Sequence, residues 1–458
     1  MEHLRFLDFL DLSESASEAS EDDSIFDSDI ETSDDEKFPG VPVWKTAFNI
    51  AKGIIGEGLL SLPAGLAAGT GIYSGVLIAI VFYFAMTYTF WTLGRLCETT
   101  SEKTHRGMGN KVTEGVFFGN VMAVANLIQT LSCCVAYALV IGRNAEDVLA
   151  PFEIDTWLSS RRGSWVTILL FVLLPLCLLR DLSKLAWSSL LGLICEAAVV
   201  GFMVLRFADG SYQPGGQFYE SQTPGTQVSW GEVGEPEMWA MSPATLTLVS
   251  SMSSAFLAHY NAPKFYHQLQ GRGSRRFLLA TSASFTLALV LFLACMIVGY
   301  LTFGHHCSGN ILHNYSDSDP AATASRFGML IAVTCGFPIA FTGLRDSVLS
   351  LCACSSRRRV WVPVTLALLT LIGSLGWSLD DLGLLNSLGG ALLGSASTLV
   401  FPGLLLTLAA PLRDQEKEPT LGKMEVRVLG RVLVGAGGLL MIFGTAVVVH
   451  DKILNRNY

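Results

Sequence analysis

The sequence predicts an all-α polytopic membrane protein: eleven transmembrane helices, set out as two inverted halves of five with one extra helix at the C-terminal end. Three features of the chain point to it. Of its 458 residues, 51% are hydrophobic and 15% charged, against about 25% charged in soluble domains, and its mean hydropathy is +0.47. Uncharged apolar runs of roughly 20 residues, the length needed to cross a bilayer, recur along almost the whole chain. These runs form two blocks of matching length, and each block opens on an interrupted run.

An acidic tail comes first. Residues 1–37 hold fourteen Asp and Glu against Arg5 and Lys37, while the remainder carries 28 basic and 25 acidic residues, so the net charge of −9 belongs to the tail. Text such as Ser20–Glu21–Asp22–Asp23–Ser24 lacks the apolar surface needed to fold alone, and residues 1–40 are expected as a disordered cytosolic segment. Several serines precede acidic residues, a context that suits an acidophilic kinase, and each phosphate would add further negative charge. A plain solvated tail is the alternative. No cleavable leader is expected, because a basic start followed by an apolar core is missing. The ten cysteines suggest no disulfide framework: most fall in spans, and Cys307, in an outer loop, has no evident partner.

The expected spans cover about 44–66, 71–97, 115–141, 164–181, 185–207, 244–268, 277–303, 327–350, 360–377, 381–408 and 428–450. The first five and the next five occupy nearly equal lengths, and five helices per half makes the second half inverted in the membrane. This divides the chain into a tail (1–40), a first repeat (41–208), an outer loop (209–243), a second repeat (244–408), and an inner loop with the eleventh helix (409–458). Lys and Arg set the orientation. With the N-terminus in the cytosol, inner connections and helix ends hold 19 basic residues and outer ones seven, so the C-terminus is placed outside or in a lumen. The sequon Asn314–Tyr315–Ser316 then falls in an outer loop, where Asn314 is a glycosylation candidate.

The interrupted runs draw attention chemically. Gly53, Gly56 and Gly58 sit mid-span in NIAKGIIGEGLLSLPAG (49–65), and each glycine costs a helix about 1 kcal/mol relative to Ala. A helix opened in lipid is tolerated where the break is buried in protein or lines a cavity. A packing face for a neighbouring helix is the plainer reading of the glycines, but it does not account for Lys52 and Glu57 beside them. The second interrupted run is FLAHYNAPKFYHQL (256–269), and paired interruptions in two halves point to a ligand site between them. The candidate substrate-binding set is therefore Ile55, Gly56, Glu57, Gly58 and Leu59, whose freed N–H groups suit a carboxylate, with Phe256 and His259 from the second break. Glu57 would repel that carboxylate, and we read it as paired with Lys52 or peripheral. A role facing a substrate amino group, or a protonated state, stays open. Glu196, mid-span in LGLICEAAVVGF, is an intramembrane acid of the kind that marks ion routes, and Lys52 with Glu196 forms a candidate proton-linked pair. His259 reads equally as a titrating group or as a prop for the break. Asn126 and Gln129 share a helix face and either line a cavity or bond between helices.

Four strings in order resemble the amino acid/auxin permease family: the two above, CGFPIAFTGLRDSVL (335–349) with Pro338 and Arg345, and LNSLGGALLGSASTLVFPGLLL (385–406). The likeness covers about 41–450 and omits the tail. It implies the LeuT-type five-plus-five inverted repeat of the amino acid–polyamine–organocation superfamily with an added eleventh helix. It also implies secondary transport of amino acids by alternating access, driven by Na⁺ or H⁺, with no bound cofactor beyond that ion. Sodium-coupled members hold the ion with oxygens from the first and eighth helices. By register Asn49 and Thr334 would serve as metal ligands if Na⁺ is used, but Gly336 stands where a second hydroxyl is expected, and Lys52 where Asn is frequent. These departures favour H⁺.

A neutral amino acid symporter in a plasma, vacuolar or lysosomal membrane is thus the expected function. An amino-acid-sensing receptor signalling through its N-terminal tail is the second class. An enzyme is not expected, since no HExxH, G-x-S-x-G or phosphate-binding loop occurs. Nor is a nucleic-acid binder, for want of a basic domain.

Overall fold

Apolar stretches as long as those in this sequence satisfy their backbone in lipid as helices, and helices are what forms. The computed structural model describes residues 40–56, 58–149, 157, 160–179, 182–222, 236–352, 358–378, 389–409 and 423–455. Pro42–Tyr458 is one unit and Met1–Val41 another. The acidic tail, with its expected kinase sites, lies outside the described residues.

The first expected span is two helices, α1 (Val43–Ile54) and α2 (Gly58–Ala67), bent by 49°. It parts because Ile55 is extended, at φ −80° and ψ 119°. Next come α3 (Ile72–Thr100), a short unexpected helix α4 (His105–Thr113), and α5 (Val116–Leu149). The α5 helix runs eight residues past its expected end. The fourth span is α6 (Arg161–Ile168), continued by a π-helical Leu169–Leu173 and a turn at Leu174–Cys177. The α7 helix (Leu182–Ala208) follows.

The sixth span is again broken. The α8 helix (Thr245–Ala255) ends, a 3-10 turn covers His259–Asn261, and α9 (Ala262–Gln268) resumes with Pro263 in its first turn, where a missing N–H costs nothing. Then come α10 (Ser274–Phe303), α11 (Pro320–Leu351) and α12 (Arg358–Ser378). The start of α11 is fixed by Pro320 and by Asp319, whose carboxylate accepts the Ala321 N–H. The π-helical Gly389–Gly394 and Ala396–Val400 lead into α13 (Phe401–Leu408), and α14 (Lys423–Asn455) is last.

Among the described residues, eight helices are each long and apolar enough to cross a membrane, and the bent pair α1 and α2 makes a ninth. The expectation of eleven differs because the runs at about 164–181 and 244–268 fold as shorter pieces. The centre is α11, which packs against α5 and α7. Of its membrane-length stretch 83% is buried inside protein, against 22% for α14, so α14 belongs to the periphery.

Outside the spans, residues 237–242 lie along the turn between α2 and α3. The N–H groups of Gly71, Ile72 and Tyr73 donate to the carbonyls of Ala240, Glu237 and Met238 at 3.0, 3.0 and 2.9 Å, and Ser242 N–H returns to Gly69 O at 3.3 Å. Thr70 Oγ1 donates to Thr245 Oγ1 at 3.1 Å. A Cβ on Gly71 would stand 2.6 Å from Met238 O and against Ala240 N.

Asn314, the expected glycosylation site, is not presented to solvent. Asn314 is fully buried; its Nδ2 donates to His306 O at 2.9 Å and its Oδ1 accepts Ser308 N–H at 2.9 Å. The sequon serves as a loop staple. Cys307 is a free thiol.

Two outcomes follow for stability. Gly71→Ala is expected to cost about 1–3 kcal/mol through backbone overlap, read as a lower melting temperature in detergent. Glycosidase treatment is expected to leave the mass at Asn314 unchanged, while Asn314→Ala removes two part-buried hydrogen bonds, to His306 O and Ser308 N–H, and costs about 1 kcal/mol.

Candidate functional site

The two breaks face each other. A Cβ on Gly58 would lie 3.2 Å from Ala255 Cα, one on Gly65 would lie 3.1 Å from Leu248 Cα, and one on Gly53 would lie 3.8 Å from Ala258 Cβ. Small residues thus let the first span run against the sixth on both sides of the interruption.

At the first break Ile55 N–H stays on Ala51 O at 2.7 Å, and Leu59 N–H turns back onto Gly56 O at 3.2 Å. This corrects the expected donor set: Ile55 and Leu59 spend their N–H groups within the chain, because the opening is shorter than the glycine run suggests. Gly56 and Gly58 remain at its centre. Gly56 faces the α5 helix, with Tyr137 Oη 2.8 Å from where its Cβ would be. Glu57 lies outside the described residues.

Lys52 finds its partner on another helix. Its Nζ is 2.5 Å from Glu196 Oε1 on α7, and both side chains are 0% exposed. The same Nζ donates to Ile55 O at 2.7 Å, capping the carbonyl end of α1 with a cation, the favourable sign for a helix C-terminus. Glu196 Oε2 has no hydrogen-bond partner among the described residues. Room for the lysine comes from two glycines: a Cβ on Gly192 of α7 would stand 2.8 Å from Lys52 Cε, and one on Gly336 of α11 would stand 3.4 Å from Nζ. The expected meeting of Lys52 and Glu196 is therefore a direct contact, and Gly336, at the place of the expected second hydroxyl, lies beside the Lys52 side chain.

The expected cation ligands are engaged with protein. Asn49 Oδ1 accepts Ser189 Oγ–H at 2.7 Å, and Thr334 Oγ1 donates to Leu330 O at 2.7 Å. At the second break, His259 is fully buried with Nε2 2.9 Å from Thr89 Oγ1. Its ring lies edge-on to Phe90 at 5.4 Å and to Phe285 at 6.4 Å. It is caged by aromatics and bonded to α3. Phe256 departs from its expected place as a lining side chain: it stacks on Phe285 at 6.1 Å and meets Phe292 edge-on at 5.0 Å, because α10 offers it an aromatic surface. Its contribution at the break is backbone. Asn126 Oδ1 accepts Ser397 Oγ–H at 3.3 Å, and Ser253 and Ser395 hydroxyls are 3.2 Å apart, so α5 and α8 both bond to the π-helical stretch of the tenth span. Tyr137 and Ser189 were not anticipated, since a tyrosine or a serine within an apolar helix carries no local signal.

Residues 40–450 match the family described as "Transmembrane amino acid transporter protein". The chain belongs to that family. The transporter is 22% identical over 415 residues to the human sodium-coupled neutral amino acid transporter 7, covering 87% of this chain and 84% of that protein. Its fold is shared with MhsT, in the crystal structure in complex with L-phenylalanine. The TM-score is 0.61 at 10% identity, covering 87% of this chain and 98% of MhsT. The transporter is therefore an all-helical, multi-pass integral membrane protein of the LeuT-like fold.

Removing one partner of a buried ion pair is costlier than removing both. Lys52→Met is expected to destabilise the transporter by about 3–5 kcal/mol, and Lys52→Met with Glu196→Gln to recover most of that. A double-mutant cycle of melting temperatures checks it.

Proposed function

We propose that the protein is a secondary carrier of neutral amino acids that works by alternating access, with H⁺ as the coupling ion and the Lys52–Glu196 pair as its coupling element. The observation that carries this reading is the pair itself: a fully buried ammonium on a fully buried carboxylate, at the break of the first span. A carboxylate there with one oxygen unpartnered can accept a proton. Protonation would release Lys52 from Glu196 and loosen α1 from α7, which gives the proton a mechanical effect. The ammonium stands among Ile55 O, Glu196 and Gly336 and supplies a fixed positive charge where a metal ion would otherwise serve.

In this reading a zwitterionic substrate lies between the breaks. Its carboxylate meets the backbone donors at Gly56 and Gly58, which suit an anion, close to the Tyr137 hydroxyl. Its ammonium takes carbonyls at Phe256 and Leu257, ahead of the Ala258 carbonyl that accepts Asn261 N–H. Lys52 and Glu196 neutralise each other, so a charged substrate side chain has no counter-ion from them, which supports neutral substrates. The human relative carries "neutral amino acid transporter" in its name, in keeping with this, while "sodium-coupled" in the same name is where the present reading departs. Counting the pieced fourth and sixth spans as crossings beside those nine gives eleven, in two inverted repeats at about 41–208 and 244–408. The distribution of Lys and Arg supports a cytosolic N-terminus.

The test is uptake into proteoliposomes over a panel of amino acids, with either a pH or a Na⁺ gradient imposed. An acid-outside gradient is expected to drive concentrative uptake of neutral amino acids. Glu196→Gln is expected to retain binding and exchange while losing the pH dependence. Uptake that follows Na⁺ and ignores pH, or unaltered pH dependence in Glu196→Gln, overturns the coupling.

A further inference from the structure

Between α3 and α5 the chain needs only a turn, yet it inserts α4, and α4 reaches elements far from it in sequence. His105 Nε2–H donates to His259 O, at the break of the sixth span, at 3.1 Å. Just before α4, the carbonyl of Glu102 accepts His267 Nε2–H from α9 at 2.9 Å. Arg106 Nη1 donates to Ser350 O at the end of α11 at 2.5 Å, and its Nε donates to Asn120 Oδ1 of α5 at 2.7 Å. The segment from Glu102 to Arg106 therefore grips α9 on one side and the α5 and α11 framework on the other.

On this face α9 is pressed shut on α11. Asn261 Nδ2 donates to Ile339 O at 2.8 Å, and Lys264 Nζ pairs with Asp346 Oδ2 at 2.7 Å. A Cβ on Gly343 would stand 2.6 Å from the Tyr260 ring and 2.9 Å from Asn261 Oδ1, so no gap separates them. Alternating access requires such a contact to open. A bond from a side-chain N–H to a main-chain carbonyl has the right character for a catch: it is directional, and it breaks without leaving a buried charge. Burial pushes His105 down to about 4, with the His259 carbonyl opposing in part, so the ring is a neutral N–H donor at ordinary pH.

We infer that the α4 segment is a latch on the sixth span, in which His105 and His267 are positioning residues that hold α9 against α11 and must let go for that face to open. The inference rests on the alternating-access reading. Loosening the latch shifts the population toward the state open on the α4 face, and apparent affinity scales with the fraction of competent protein. Two hydrogen bonds of ordinary strength shift such a balance by roughly tenfold.

The measurement is the apparent KM from each face of oriented proteoliposomes. His105→Leu with His267→Leu is expected to lower KM at the α4 face and raise it at the opposite face, each by about three- to tenfold. His105→Gln with His267→Gln, which keeps an N–H donor at each place, is expected to follow wild type. If the double leucine variant does not reconstitute, the single His267→Leu carries the same test with a smaller shift. Unchanged KM values at both faces, equal shifts at both faces, or leucine and glutamine variants that behave alike overturn the latch. Saturable uptake by the unmodified protein tests the carrier reading separately, so a latch failure on an active carrier stands apart from a failure of transport.

Discussion

A main-chain carbonyl released where a helix breaks or ends inside a membrane protein has little water to turn to, and at four such places a side chain supplies the donor. At the end of α1 the donor is Lys52 on Ile55 O. At the turn of the sixth span it is His105 on His259 O. At the end of the fourth span it is Arg345, whose Nη1 reaches Cys177 O at 2.6 Å while its guanidinium lies 3.4 Å over the ring of Trp361. At the end of α11 it is Arg106 on Ser350 O. Three of the four donors are permanent or ordinary cations at helix C-termini, where the macrodipole favours positive charge. Lys52 serves its own helix end, whereas His105, Arg345 and Arg106 come from elements far away in sequence, so those three bonds also pin two elements together.

The same economy governs the space around Lys52. A lysine inside a bundle needs a slot for its stem as well as a partner for its charge, and Gly192 and Gly336 leave that slot from opposite helices. The pair with Glu196 carries a desolvation penalty of several kcal/mol per ion, which a buried contact offsets only with good geometry. A group held at such cost adds little to stability beyond what an apolar pair would provide, which is the physical reason to look for its use elsewhere.

The breaks were legible because glycine and proline act locally: Gly53, Gly56 and Gly58 in the first span and Pro263 in the sixth weaken a helix wherever it packs. The meeting of Lys52 and Glu196 was legible for a similar reason, since two intramembrane charges of opposite sign have few other places to go. What depended on packing was not readable. Phe256 faces α10 because Phe285 and Phe292 are there. Asn314 is buried by the fold of its own loop, although its sequon reads as a surface signal. Tyr137 stands at Gly56 by virtue of where α5 crosses, and nothing in its neighbours along the chain says so. The α4 helix was missed because nine mostly polar and small residues between two spans, with only Met108 and Val112 apolar, resemble an ordinary connection.

The ladder that residues 237–242 form on Gly69 to Tyr73 joins the far ends of α2 and α8, whose near ends meet at Gly58 and Ala255. Two rods clamped at both tips cannot slide or swing separately. The segment is a yoke between the two interrupted spans, held by main-chain bonds and by Thr70 on Thr245.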